Sequence, residues 1–306
     1  MTEAQTAAQT TAQTTDEPAP IHDGMAALAD SYDAFILDLW GVLHNGVAAY
    51  PQAIDGLKAL KARGKKLLVL SNAPRRTAGI LERNAELGLV PELYDALHSS
   101  GEETWLHLKE RPDAWYRNLG RRGFHLGPAR DLGIREGLEI DFVEDLAAAD
   151  FILNTGAGRA EDRVEDFEDL LQAARSRDLP MICANPDLVV MRGSATEICA
   201  GAIAARYEEL GAQVRYHGKP HADVYRRAFA LLGVEDRSRI AGVGDSFRTD
   251  IAGARAAGID GIFIAGGIHV EELGADAEGR PDPDRLAVIA AESGHHPSAV
   301  LPLFRW

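Results

Sequence analysis

The stretch Ala34-Phe35-Ile36-Leu37-Asp38-Leu39-Trp40-Gly41-Val42 decides how this chain is read. Four apolar residues run without a break into a carboxylate, and a glycine follows three positions later. A short unbroken apolar run suits a strand covered on both faces, as in a parallel sheet, where no wet face imposes alternation. Three further runs have the same form. Lys66-Leu67-Leu68-Val69-Leu70 ends at Ser71-Asn72, Arg239-Ile240-Ala241-Gly242-Val243 ends at Gly244-Asp245, and Gly261-Ile262-Phe263-Ile264 ends at Gly266-Gly267. Between the first two, Pro51–Ala62 carries Ile54, Leu57 and Leu60 at helical spacing, with Gly64 where a helix would stop. An Ala-rich helix is predicted over 249–257. Strands alternating with helices predict an α/β fold with a Rossmann-like, doubly wound parallel sheet. Ligands in such folds sit beyond the carboxyl ends of the strands. Asp38, Ser71 and Asp245 all fall at such ends.

A second alternation lies inside the first. It includes Phe151-Ile152-Leu153 before Thr155-Gly156, a polar-faced helix over 165–176, and Pro180-Met181-Ile182-Cys183-Ala184 before Asn185. The expectation is a core of residues 30–97 and 206–295, interrupted by an inserted α/β domain over 98–205. Residues 1–20 are Ala, Gln, Thr and Pro with scarcely a large apolar side chain, and read as a disordered tail.

The whole chain of 306 residues is roughly two domains' worth. With 46% hydrophobic and 26% charged residues, wholesale disorder, collagen and coiled coil are excluded. A net charge of −15 repels nucleic acid and anionic lipid, so neither is an expected partner. Cys183 and Cys199 cannot make a disulfide framework and suit a reducing compartment; both read as buried and inert. No apolar run is long enough to span a bilayer, and the polar start lacks the form of a signal peptide. A cytoplasmic location is expected.

The chemistry is concentrated in a few residues. Asp38 and Ser71 stand at strand ends, Lys219 lies in Gly218-Lys219-Pro220, and Asp245 and Asp250 lie in Gly244-Asp245-Ser246 and Thr249-Asp250-Ile251. A carboxylate nucleophile, a hydroxyl, a lysine and two more carboxylates are what phosphoryl transfer through an aspartyl-phosphate requires. Each also has a plainer reading. Ser71-Asn72 is a helix cap by type, Asp250 would cap the Ala-rich helix equally well, and Asn185-Pro186-Asp187 is a turn. His217 and His221 flank Lys219 but lack a third ligand nearby, so zinc is not expected.

Asp38-Leu39-Trp40-Gly41-Val42, Ser71-Asn72, Gly218-Lys219-Pro220 and Gly244-Asp245-Ser246-Phe247-Arg248-Thr249-Asp250-Ile251, in that order, resemble the haloacid dehalogenase (HAD) superfamily. The large insert and the Asn185-Pro186-Asp187 loop resemble its subclass IIA, the NagD-like phosphatases, which carry a type C2 cap. The resemblance implies a Mg²⁺-dependent phosphatase acting on a small phosphorylated metabolite. Asp38 would be nucleophile and metal ligand, joined at the metal by the Trp40 backbone carbonyl, by Asp245 and by Asp250 as a second acidic group. Ser71 would bind the phosphoryl group with the Asn72 amide nearby, and Lys219 would neutralise charge on both nucleophile and phosphate. Asn185 and Asp187 would face the site from the cap, with Arg192 placed for an anionic substrate group. Arg75 or Arg76 would orient the substrate or only the following helix. Caps of this family often mediate dimers, so a homodimer is a possible assembly.

One position departs from the pattern. The family's first motif is Asp-x-Asp, whose second Asp is general acid and base; this chain has Trp40 there. A positioned acid or base typically contributes about 10²–10⁴-fold. Turnover is therefore expected to be slow or specialised for leaving groups that need little protonation. Otherwise another group, such as His44, supplies the proton. The alternative is a protein that binds Mg²⁺ and a phosphorylated ligand without turnover, as a sensor or regulatory module.

Overall fold

The computed structural model describes residues 19–192 and 195–306. The tail expected over residues 1–20 falls outside the described residues up to position 18. Residues 19–22 already belong to the fold, with Ile21 bridged in parallel to Val300.

The core sheet has six parallel strands: β1 (Ala34–Leu37), β2 (Lys66–Ser71), β3 (Ala96–Ser99), β11 (Ile240–Gly244), β12 (Asp260–Ile264) and β13 (Ala299–Leu301). Their order is β13-β12-β11-β1-β2-β3. Successive residues of one strand serve opposite faces. Phe35, Leu37, Leu67 and Val69 join a cluster with Leu57, Leu60 and Ile80. Ala34, Ile36, Leu68 and Leu70 join Val224, Tyr225 and Ala228 on the other side. Helices Pro51–Ala62 and Thr77–Glu86 cover the first face, and Ala222–Leu232 the second. Both faces are thus dry, which is why the strand sequences read as unbroken apolar runs.

The insert has its own parallel sheet, β4 (Arg122–Leu126), β5 (Asp141–Val143), β6 (Phe151–Asn154), β7 (Met181–Cys183) and β10 (Val214–Tyr216), in the order β10-β7-β6-β4-β5. An antiparallel hairpin, β8 (Val189–Arg192) with β9 (Ala195–Ile198), follows β7. Here too the faces separate: Ile152, Met181 and Cys183 pack with Ile203 and Tyr207, while Phe151, Leu153 and Ile182 pack with Tyr116.

Sheet membership runs past the expected bounds in three places. His98 and Ser99 still belong to β3, β10 carries the insert's sheet on to residue 216, and β13 adds a core strand beyond 295. Val214-Arg215-Tyr216 is only half-buried and β3 ends on His98-Ser99, so neither continues as an apolar run, while Ala299-Val300-Leu301 is apolar and buried but only three residues long. The expected helix over 165–176 is a 3₁₀ turn, Val164–Phe167, leading into a helix at Glu168–Arg175. That over 249–257 begins with a π turn at Phe247–Ile251 and continues at Ala252–Ala257. Among the described residues no helix is long and apolar enough to cross a membrane.

The strand order reverses between β1 and β11. The chain steps outward from β1 to β3, leaves for the insert, and returns on the other side of β1. Such a switch point opens a crevice at the carboxyl ends of the two strands, and Asp38 and Asp245 stand at those ends.

Candidate active site

The strand-end residues converge. Asp38, Ser71, Lys219, Asp245 and Asp250 are each at most 9% exposed. The Asp38 N–H donates to the Val243 carbonyl over 2.8 Å, which fixes its backbone to β11. Lys219 Nζ donates to Asp38 Oδ1 and, over 2.7 Å, to Asp250 Oδ1. Asp250 Oδ2 accepts the Ser246 N–H over 3.1 Å, so this residue braces the turn and aligns the lysine, while the cap that its type suggested is made by Ser246, whose Oγ accepts the Thr249 N–H over 3.3 Å. Asp245 Oδ2 accepts the Ile268 N–H over 2.9 Å. Gly41 has φ +82°, and a Cβ there would overlap the Asp245 carboxylate. Only glycine gives both the turn and the room.

Asp38, Asp245 and Asp250 each offer an oxygen lying within 4.8 Å of the others'. Burial raises the pKa of Asp38 above the carboxylate range, Lys219 pulls it back, and Asp250 pushes it up again. Burial also raises Asp245, reinforced by Asp38 and Asp250. Burial disfavours the Lys219 ammonium, but Asp250 and Asp38 outweigh this and hold it well above the ordinary lysine value. Three buried carboxylates against one ammonium leave negative charge uncompensated. An all-oxygen donor set of this kind suits a hard divalent cation.

Above these groups a cleft of about 1080 Å³ lies between core and insert. Ser71, its Oγ accepting the Ala73 N–H over 3.2 Å, lines it beside Asp38 and Lys219. Asn72 also lines the cleft, and its side chain has a second part to play. Its side-chain Oδ1 accepts the Lys219 N–H over 2.8 Å, and its Nδ2 donates to the Lys219 carbonyl (3.2 Å) and to Asp187 Oδ1 (2.8 Å). This side chain is a clasp between the lysine loop and the insert. Asn185 turns its own loop, its Oδ1 accepting the Asp187 N–H over 3.0 Å, and both residues line the cleft. The side chain of Arg192 falls outside the described residues. Arg75 lines the cleft paired to Asp131 at 3.0 Å, whereas Arg76 is held by Glu102 and lies over Trp105, a helix-orienting role.

Trp40 lies under the insert. Its indole N–H donates to the Met191 carbonyl of β8 over 2.6 Å, and its ring meets His44 edge-on. Gly46 has φ +81°, and a Cβ there would overlap the indole. His44 does not stand as the replacement proton donor. It is 3% exposed, it is not among the cleft-lining residues, its Nδ1 accepts the Gly46 N–H over 2.9 Å, and burial pushes its pKa down to about 4. His217 faces Tyr116 and His107, and His221 stacks on Tyr216. Cys183 and Cys199 are buried, and burial raises both thiols, Cys183 to about 12. Sequence reading missed three contacts: Met191 on the indole, Arg248 donating to the Pro186 carbonyl, and Ile268 on Asp245. Two of these use backbone carbonyls and the third a backbone N–H, which no residue type announces.

The family model described as "haloacid dehalogenase-like hydrolase" matches residues 32–258. A solved haloacid dehalogenase-like hydrolase from Brucella suis 1330 is similar at 35% identity and TM-score 0.78, covering 92% of this chain and 99% of that one. Among curated proteins, the 5'-nucleotidase YutF of Bacillus subtilis is 24% identical over 260 residues, 82% of this chain and 94% of that protein. The ribonucleotide monophosphatase NagD of Escherichia coli K12 is 26% identical over 238 residues, 76% of this chain and 87% of that protein. A match across most of the chain, on a fold that gathers the motif carboxylates and the lysine at one switch point, leads to one conclusion. The chain belongs to the haloacid dehalogenase-like hydrolases, in their NagD-like subclass IIA.

Proposed function

We propose that this protein is a Mg²⁺-dependent phosphatase of small phosphorylated metabolites, working through an aspartyl-phosphate at Asp38, with the inserted unit as its cap. The observation that carries the reading is Lys219 held between Asp38 and Asp250 at the rim of a three-carboxylate cluster. Asp38, Asp245, Asp250 and the Trp40 carbonyl would hold the cation, which when bound supplies charge neutralisation at the phosphoryl oxygens. Lys219 opposes the effect of burial on Asp38 by favouring its ionised form, orients it, and lends positive charge to the incoming phosphate. Ser71 offers a hydroxyl donor to the same oxygens. The cap loop and hairpin roof the cleft and limit water.

Residue 40 brings no proton to the leaving group. The ester oxygen must depart with little protonation, making the enzyme slow or specialised, or draw a proton from elsewhere in the cleft. The named activities of the relatives, nucleotide and sugar phosphate hydrolysis among them, support small phosphomonoesters as the substrate range. The test is phosphate release by purified protein with and without Mg²⁺ from acetyl phosphate, an activated aryl phosphate, nucleotides and sugar phosphates, beside the Asp38→Asn variant. Mg²⁺-dependent release that disappears in the variant is the expected result. Vanadate binding without release from any substrate would instead favour the reading in which the site binds but does not turn over.

A further inference from the structure

If phospho-Asp38 forms as proposed, the protein must still solve the proton problem that Trp40 creates. The indole has no titratable proton near neutrality, and its N–H is given to Met191. His44 is buried and neutral. Asp38, Asp245 and Asp250 are bound up with Lys219 and with each other. Asp131 is paired with Arg75. We propose that Asp187, on the cap loop, is the catalytic residue that gives the leaving group its proton and later activates the water.

Four observations bear on it. Asp187 lines the cleft together with Asp38, Ser71 and Lys219. One carboxyl oxygen is pinned by Asn72, which the Lys219 backbone grips from both sides, so the carboxyl is located relative to the lysine loop rather than free to swing. Its other oxygen makes no hydrogen bond among the described residues. Burial holds the group above the ordinary carboxylate range; Lys219, the Asn72 hydrogen bond and Arg248 oppose this and Asp250 adds to it. A carboxyl anchored through one oxygen and open at the other can carry a proton on the open one. It also comes from the cap, the side of the cleft away from the core sheet that presents Asp38.

The step balances as follows. An Asp38 oxygen attacks phosphorus, the bond from phosphorus to the ester oxygen breaks, and its electron pair leaves with that oxygen. The oxygen takes the proton of Asp187, giving an alcohol, phospho-Asp38 and an Asp187 carboxylate. Water then attacks phosphorus and gives its proton to Asp187, the bond from phosphorus to Asp38 breaks with its pair returning to Asp38, and inorganic phosphate leaves.

Leaving-group dependence separates this role from a structural one. Asp187→Asn keeps an oxygen that accepts from Asn72 and removes only the proton. Because kcat/KM reports the steps through phosphoryl transfer to Asp38, the variant's kcat/KM for an alkyl phosphate such as glycerol phosphate is expected to fall by about 10²-fold or more. For 4-nitrophenyl phosphate or acetyl phosphate, whose leaving groups need little protonation, it falls by less than about tenfold, while kcat falls for all of them because the water loses its base. Asp187→Glu, which restores a carboxyl, brings the alkyl-to-aryl ratio back towards that of the unaltered protein. An equal fall in kcat/KM for alkyl and aryl esters would overturn the assignment and leave the phosphatase reading standing. So would the same selective loss in Glu197→Gln, another carboxyl that lines the cleft from the cap, in place of Asp187→Asn. Absence of Asp38-dependent release from every ester in the unaltered protein would overturn both.

Discussion

Replacing Trp40 by Phe tests whether this residue holds the cap. The substitution keeps an aromatic ring against His44 and Gly46 and deletes the indole N–H that reaches the Met191 carbonyl over 2.6 Å. A neutral hydrogen bond contributes about 0.5–1.5 kcal/mol net, which corresponds to about a 2- to 13-fold change in an equilibrium constant. Met191 lines the cleft, so water is expected to replace the indole at its carbonyl and no further burial penalty is counted. Other ties between core and cap remain, among them Asn72 to Asp187, Arg248 to the Pro186 carbonyl and Arg75 to Asp131, so the cap still docks but opens more often. Amide hydrogen exchange in β8 and β9 is expected to quicken by about 2- to 13-fold, and KM for an aryl phosphate to rise by the same order, with no comparable change in core-sheet exchange. Unchanged exchange in the hairpin together with an unchanged KM would show that the bond does not hold the cap, and the reasoning fails.

Two further outcomes follow from buried charge. Lys219→Met leaves Asp38, Asp245 and Asp250 buried without their counter-charge, so stability without added metal should fall by about 3–5 kcal/mol, and added Mg²⁺ should recover part of it; denaturant melts with and without Mg²⁺ measure this, and an unchanged metal-free melt contradicts it. His44 has its folded pKa depressed to about 4 from 6.5. The unfolded chain therefore binds the extra proton first, so the stability from this residue is complete above pH 6.5 and is lost as pH falls towards 4. Between pH 7.5 and pH 5 the loss is about 2 kcal/mol, and His44→Gln should flatten the stability profile by that amount in urea melts.

The parallel core was legible because its strands are buried on both faces. Residues such as Phe35-Ile36-Leu37 and Leu67-Leu68-Val69 have no wet side, so the apolar run itself announces the strand, and its last residue marks the ligand end. Asp38, Ser71 and Asp245 could be gathered on paper for that reason, and Lys219 and Asp250 joined them through Gly218-Lys219-Pro220 and Thr249-Asp250-Ile251. Edge strands gave no such signal: β5, β10 and the β8–β9 hairpin are short and partly exposed, and their pairing is set by neighbours. His44 shows a different limit. Its residue type suited proton transfer, but the turn after Asp38 folds it beneath Trp40, and burial then removes the charge that the type suggested.

Residue types and their order along the chain determined by themselves that an α/β core would present carboxylates and a lysine at strand ends, and that position 40 could not be an acid. Only the tertiary structure decided that Asn72 is a clasp, that Trp40 reaches the cap, and that Asp187 stands over the cleft with one oxygen held. The physical reason is separation along the chain. Asn72 and Asp187 are 115 residues apart, and Trp40 and Met191 are 151 apart. Contacts of that range, several of them to backbone atoms, leave no local pattern; they exist because two separately folded sheets are docked in one relative position.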